Sequence, residues 1–390
     1  MILLYANHPI VKSKTGYYAE LKNFIDFLSE LSGCSSVYHL IVPVKIVSDE
    51  DLDGLTPIDL KTDNIIHVKY YKGHVRALIF SFINTFAVAK LVRAQISKKG
   101  TVVIACPGPN SFLFLLSLLS PREVKFSFFI RGDTIKTLHN MYKGTLMYYI
   151  AMPLVKTFRW RICQLLKQGR ADVFTYGEAL LSQYPANKEL QHVIAPLIDE
   201  SWIKTSPIDR VSDSNKYKVL FVGRLSKEKN VIALINACLK SQKKGTQFEL
   251  TIIGDGPLYS HVKRLTHNST IVHVLGKVSH GVDLMRIYDT HDLLCLPSFT
   301  EGTPRVVVEA IARGLPVLST NVGSIDRMFP DIIQFTKGFT QDDLLVGIEY
   351  CRKHRIEIRD KTLLAVKQAY KYTIQSQANV VHKVLKSRNF

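Results

Sequence analysis

The chain has 390 residues, 46% hydrophobic and 22% charged, with 51 Lys and Arg against 33 Asp and Glu, a net charge of +18. That length predicts two domains, and the ordinary composition excludes a disordered or coiled-coil protein. The positive excess points to a polyanionic partner, a membrane surface or phosphorylated substrates.

Six cysteines stand at 34, 106, 163, 238, 295 and 351 with no C-x-x-C pair. A disulfide scaffold and a zinc ribbon are therefore not expected, and a reducing cytosol is the natural compartment. MILLYANHP at the start has no basic n-region and meets Pro9, unlike a signal peptide. The longest uncharged apolar runs, 77–89 and 144–155, are shorter than the ~20 residues that span a bilayer. A soluble or peripherally bound protein is expected.

In chain order, the first half offers strands at 2–6, 37–43, 64–69, 101–106, 125–130 and 172–176. A helix is predicted over 17–31, where Leu21, Phe24, Ile25, Leu28 and Leu31 have one-sided spacing and Gly33 offers a stop. Residues 61–170 hold 18 Lys and Arg but only Asp63, Glu123 and Asp133 as acids. Residues 351–390 hold ten basic and two acidic residues. A solvated basic face is the plainer explanation. The mixture with aromatic residues in MYKGTLMYYIAMPLVKTFRWR, 141–161, instead suits an anionic bilayer surface better than DNA.

The polar, aperiodic stretch 199–217 reads as a linker. Beyond it, strands fit 219–222, 248–253, 270–274, 293–296 and 316–319. Helices fit near 231–243, 258–266, 281–289, 305–313 and 341–353. Alternation of this kind predicts an α/β protein of two Rossmann-like, doubly wound domains facing across a cleft. The expected boundaries are 1–205, 206–372 and a basic C-terminal helix over 373–390 that crosses back to the first domain.

Three motifs carry chemistry. In KVLFVGRLSKEKN, a strand ends at Gly223, and Arg224 and Lys229 follow on its carboxyl-end loop, where two cations can converge on a diphosphate. In IIGDGP, 252–257, the glycines fit a tight turn and match neither a Walker loop nor G-x-G-x-x-G. The third, PSFTEGTPRVVVEAIARGLPV, puts Glu301 on a loop, Pro304 at a helix start, Glu309 inside the helix and Gly314 at its stop. Amides of such a loop and first turn make an anion site. An i,i+4 ion pair of Glu309 with Arg305 or Arg313 is the purely structural alternative.

With these motifs the chain resembles the retaining nucleotide-sugar glycosyltransferases of the GT-B fold, glycosyltransferase family 4 (glycosyl transferases group 1). The resemblance rests on the E-x7-E element Glu301–Glu309, on GRLSKEKN, and on IIGDGP followed by HVLGKVSH, over most of 218–325. It implies that Arg224 and Lys229 bind a donor diphosphate, Glu301 the transferred sugar and Glu309 the ribose. Backbone amides of Thr303, Pro304 and Arg305 are implied to hold sugar and phosphate oxygens, and Lys277–Val278 the base. The family's Gly-Gly loop is represented in SKTGYYAE by Gly16 alone, and FIRGD offers Arg131 and Asp133 where many members place a His.

The resemblance further implies a metal-independent hexosyltransferase without a cofactor, with a UDP-sugar favoured as donor over a GDP-sugar. The expected acceptor is a glycan or lipid-linked hydroxyl in cell-surface polysaccharide or lipopolysaccharide synthesis, reached from the inner face of the cytoplasmic membrane. Asp51–Asp53 is the one D-x-D, far in sequence from the donor motifs, and argues only weakly for a metal site. An epimerase or phosphorylase of the same fold and a non-enzymatic polyanion binder remain as alternatives, although no nucleic-acid motif is present.

Overall fold

Short runs rich in Val, Ile, Leu and Phe are shaped for fully covered parallel strands, and the protein uses them that way. A computed structural model describes residues 2–58, 65–70, 100–106, 124–204 and 216–386, apart from short stretches within them. The apolar run 77–89 lies outside the described residues. The chain forms two units, residues 1–196 with 374–390, and residues 197–373.

The first unit's strands are β1 (Ile2–Tyr5), β2 (Ile10–Lys12), β3 (Tyr17–Ala19), β4 (Tyr38–Ile46), β5 (Thr56–Ile58), β6 (Ile65–Lys69), β7 (Gly100–Cys106), β8 (Val124–Ile130), β9 (Ala171–Tyr176) and β10 (Leu190–Val193). The parallel core runs β6-β4-β1-β7-β8-β9-β10, with the winding direction reversing between β1 and β7. That is a doubly wound sheet. Side chains alternate as the strand period requires: Val102, Ile104, Phe126 and Phe128 join one core, Val103, Phe129 and Phe174 the other. After helix α1 (Thr134–Tyr142), helix α2 (Leu146–Lys167) covers the first of these cores with Ile162, Leu165 and Leu166.

The second unit has β11 (Tyr217–Val222), β12 (Phe248–Ile253), β13 (Val272–Gly276), β14 (Leu293–Leu296), β15 (Val317–Ser319) and β16 (Gln334–Phe335). They are parallel in the order β13-β12-β11-β14-β15-β16. Helices α3 (Val231–Lys243), α4 (Tyr259–Leu265), α5 (Val282–Asp289), α6 (Arg305–Ala312) and α7 (Gln341–Lys353) connect or flank them. The C-terminal helix α8 (Ile374–Lys386) then packs Ile374, Ala378 and Val381 into the second core of the first unit.

Two expectations need correction, and one helix goes beyond what pattern predicts. Tyr17–Ala19, placed by periodicity at the start of a helix, is instead strand β3, antiparallel to β2 and β5. Gly16 turns this hairpin, with the Ser13 N–H donating to its carbonyl at 3.0 Å, and the two tyrosines fit a pleated surface better than a helix start. Described helical residues in that stretch are Ile25–Phe27 and Glu30–Leu31.

Helix α2 was not anticipated at all. Pro153 stands inside it, and its apolar residues occupy two faces, so no one-sided period is visible. The boundary also falls earlier than 205. Ile198 bridges to Thr373 and Trp202 is fully buried, so the start of the expected linker belongs to the second unit. Residues 205–215 lie outside the described residues.

Candidate functional site

In the second unit the winding reverses between β11 and β14, and the carboxyl ends of strands at such a switch point are the usual ligand position in these sheets. The loop after β11 carries Arg224 and Lys229; the loop after β14 carries Glu301 and leads into α6. The two loops meet at a partly buried ion pair. Lys229 Nζ lies 2.6 Å from Glu301 Oε1, with the Glu301 side chain only 7% exposed. Ser298 Oγ, itself fully buried, donates to the same oxygen at 2.6 Å. Residues 72 positions apart are thus held in one constellation.

Backbone approach explains the glycines of IIGDGP. A Cβ on Gly254 would stand 1.9 Å from the Gly223 carbonyl oxygen, and one on Gly256 would stand 2.6 Å from that of Leu225. Gly223 and Leu225 in turn donate to the Ile253 and Asp255 carbonyls at 3.0 and 2.9 Å. These glycines lock the Arg224–Lys229 loop onto its neighbour. Arg224 itself stays exposed on that loop, beside Glu228.

Pro304 is the N-cap of α6, and no side chain among the described residues caps the helix. Its first-turn N–H groups, with Thr303 exposed just before them, make a positive helix end next to Glu301. Glu309, one turn further in, is 2% exposed. Its Oε1 meets Arg305 Nε at 2.6 Å and His280 Nε2 at 3.2 Å, and its Oε2 accepts from the Tyr288 hydroxyl at 2.7 Å. Arg305 also contacts the His280 ring nitrogen. Burial pushes the Glu309 carboxyl up, but the hydrogen bond from His280, the Arg305 charge and Tyr288 outweigh it and hold it below the usual range. Burial, then the Glu309 charge, raises the Tyr288 phenol.

Trp202 completes this cluster, stacked on His280 with centroids 4.5 Å apart and edge-on to Tyr288 at 5.8 Å. Of the two arginines considered as partners for Glu309, Arg305 takes it; Arg313 instead binds Asp289 through Nε at 2.9 Å and Nη2 at 2.5 Å. Lys277 and Val278 lie on the loop between β13 and α5 that delivers His280 to Glu309. Sequence reasoning missed Trp202, His280, Tyr288 and Ser298. The second histidine of HVLGKVSH and the serine of PSFTE were visible, but nothing in their spacing shows that they converge on Glu309 and Glu301.

Gly16 lies in the first unit's β2–β3 turn. Asp133, also in the first unit, accepts from Gln183 Nε2 at 2.8 Å, and Arg131 lies outside the described residues. Asp51 accepts from Ser48 Oγ at 3.0 Å, whereas Asp53 lies outside the described residues. Among the described residues no three His, Cys, Asp or Glu side chains group as a metal site, and no helix is long and apolar enough to cross a membrane.

Residues 204–340 match the family described as Glycosyl transferases group 1. The match covers both loops and the whole of α6. Over 170 residues the chain is 26% identical to the O-antigen biosynthesis glycosyltransferase WbnH of Escherichia coli, covering 44% of this chain and 47% of that protein. The chain spans less than half the length of the first curated relatives it matches.

Solved structures align along nearly the whole chain. Sucrose-phosphate synthase from Thermosynechococcus elongatus superposes with a TM-score of 0.70 at 13% identity, covering 99% of this chain and 98% of that one. Anabaena Alr3699/HepE in complex with UDP and glucose gives 0.61 at 16% identity, covering 99% of both. At such identities the likeness speaks for architecture. The fold is GT-B, with two Rossmann-like domains.

Proposed function

We propose that the chain is a retaining glycosyltransferase that moves a sugar from a nucleotide diphosphate sugar to a hydroxyl of a glycan or lipid-linked acceptor. The observation that carries this is the Lys229–Glu301 pair at the switch point beside the uncapped start of α6. Arg224, Lys229 and the backbone N–H groups of Thr303 and Arg305 would hold the diphosphate, and Glu301 the sugar hydroxyls; Pro304 has no N–H to donate. Donor binding exchanges partners: Lys229 turns to a phosphate oxygen, while Ser298 keeps Glu301 in place for the sugar. Glu309 is assigned to the ribose hydroxyls: a carboxylate offers about four lone-pair sites, of which three protein groups take a share here. Lys277–Val278 is assigned to the base, with UDP favoured and GDP second.

In the reaction, the bond between anomeric carbon and diphosphate oxygen breaks and one to the acceptor oxygen forms on the same face. The acceptor proton passes to the departing diphosphate. The protein's contribution is to stabilise the negative charge that develops on that diphosphate, by Arg224, Lys229 and the helix start. These cations supply the neutralisation that a metal ion gives other transferases, so no metal or cofactor enters the scheme. The UDP and glucose of the HepE complex support the donor class, and the O-antigen relative supports a role in polysaccharide biosynthesis.

The test is a panel of UDP- and GDP-sugars, scored for nucleotide release and product with a glycan acceptor, with and without EDTA. An α-linked product from an α-donor in EDTA supports the reading. Inversion, an absolute metal requirement, or no turnover of any nucleotide sugar overturns it. An epimerase would change the donor sugar without acceptor, and a phosphorylase would require phosphate.

A further inference from the structure

Helix α2 is apolar on two opposite faces, and among the described residues only one of them is buried. Ile162, Leu165 and Leu166 enter the first unit's core, and Ala151 and Met152 are buried. Facing away from these, Leu146 is 77% exposed, Tyr149 66%, Ile150 50% and Trp160 59%. At 100° per residue these four, with exposed Pro153, fall on one stripe about a third of the circumference wide. From Leu146 to Trp160 the stripe runs roughly 20 Å along the helix at 1.5 Å per residue. A contiguous apolar stripe of this kind on a water-facing helix marks an interaction surface.

The charge around the stripe selects the partner. From Thr134 to Ala171 the chain contains no Asp or Glu and seven Lys or Arg. Lys143 precedes the helix start, and Lys156 and Lys167 border the stripe; all three are exposed. Cations flanking an aromatic and aliphatic face are the pattern of a helix lying in the plane of an anionic membrane interface. Tyr149 and Trp160 suit the headgroup boundary, where an apolar ring body and a polar tip are both satisfied. A protein partner would be recognised equally well by the apolar residues, but it would not call for a segment of 38 residues emptied of acids.

We propose that the outward face of α2 docks the chain on an anionic lipid bilayer, with Leu146, Tyr149, Ile150 and Trp160 inserted and Lys143, Lys156 and Lys167 at the headgroups. The attachment is reversible, because the helix lies on the surface and does not span. Each lysine near an anionic surface strengthens partitioning about fivefold, and salt weakens that part. The proposal stands apart from the transferase reading, since its test measures no turnover.

The full chain is sedimented with phosphatidylcholine vesicles and with vesicles containing phosphatidylglycerol, at low and high salt. Wild type should partition at least about tenfold more strongly to the anionic vesicles at low salt. Trp160 supplies a second readout, because the chain has two tryptophans and the other, Trp202, is buried in the second unit. Emission should shift to the blue with anionic vesicles in wild type and not in Trp160→Phe. Combined Leu146→Ser, Tyr149→Ser and Ile150→Ser should weaken partitioning at least about tenfold with an unchanged circular-dichroism spectrum. Combined Lys143→Glu, Lys156→Glu and Lys167→Glu should erase the preference for anionic lipid. Equal partitioning of wild type to both vesicles, or wild-type partitioning of the serine variant, overturns the proposal. So does a dimer in solution that the serine variant dissociates, which would assign the stripe to a second copy of the chain.

Discussion

The two units treat their charged side chains in opposite ways. In the second, two sets of ionisable groups near the carboxyl ends of the strands are turned inward and paired, Lys229 with Glu301, and Glu309 with Arg305, His280 and Tyr288, although Arg224 stays exposed. In the first, the segment over α1 and α2 has shed its acids and leaves Lys143, Lys156 and Lys167 in solvent beside exposed apolar residues. Burying a charge is costly unless it is paired, so inward charges imply fixed geometry for a ligand of definite shape. Outward charges around an apolar stripe imply a partner defined by its surface alone. If this contrast is right, changes in the second unit should be expensive and specific, and changes on the outer face of α2 should leave stability alone.

The largest expected effect is at Glu309. Glu309→Leu removes the acceptor shared by Arg305, His280 and the buried Tyr288 hydroxyl, the first two being 32% and 28% exposed, and should destabilise the protein by about 3 kcal/mol in urea unfolding. Glu309→Gln sharpens the point through pH. The folded carboxyl titrates below its unfolded value of 4.5, so its stabilising contribution is complete above 4.5 and is lost as pH falls through the depressed folded value. The stability gap between wild type and Glu309→Gln should therefore be constant near neutrality and narrow in acid. A gap that widened in acid would remove Glu309 from this account.

Gly254→Ala comes next. Its Cβ would overlap the Gly223 carbonyl oxygen, at a φ of +139° that disfavours any side chain. Strain and overpacking together should cost about 3 kcal/mol, and the displaced Arg224–Lys229 loop should lose nucleotide binding in parallel. Gly16→Ala, in the first unit, meets nothing within 4 Å and should cost only its backbone strain.

The same contrast governs what could be read from the sequence. Helices α3 and α7 and strands β12 and β14 coincide residue for residue with the segments expected from pattern. Each is a one-sided or fully buried element bounded by Gly, Pro or polar residues, so local signal and tertiary role agree. The loop residues of the candidate site are also legible, because Arg224, Lys229, Glu301 and Glu309 sit in motifs with fixed spacing. Their contacts are not. Lys229 meets Glu301, and Trp202 meets His280, only because the winding of the sheet and the return of the chain at Ile198–Thr373 bring distant loops together. In the first unit, α2 hid behind Pro153 and its double apolar face, and the β2–β3 hairpin behind a helical spacing further along.

Glu301→Gln tests the site at its centre. The amide keeps the shape and the Ser298 hydrogen bond but removes the charge that Lys229 addresses and that the proposed function assigns to the sugar hydroxyls. Transfer should fall roughly 10²–10³-fold in kcat, the size seen when one stabilising group is removed from a polar active site, while the urea midpoint moves far less than for Glu309→Leu. Near-normal turnover with a thermally stable protein would show that the pair is structural.

Arg224 should give the smallest change in stability and the cleanest separation of binding from folding. It is exposed and forms no ion pair among the described residues, so Arg224→Ala should alter unfolding by less than about 0.5 kcal/mol. A charge-assisted hydrogen bond to a phosphate contributes about 1.5–3 kcal/mol, which corresponds to roughly 10- to 100-fold in affinity. Calorimetric titration with a nucleoside diphosphate should show that loss, and titration with the matching nucleoside should not, because the uncharged ligand lacks the group Arg224 addresses. Arg224→Lys should recover only part of it, since an ammonium cannot reproduce the guanidinium fork. Equal losses for diphosphate and nucleoside would mean that the substitution had deformed the loop locked down by Gly254 and Gly256, and Arg224 would then be a loop residue with no direct part in holding the donor.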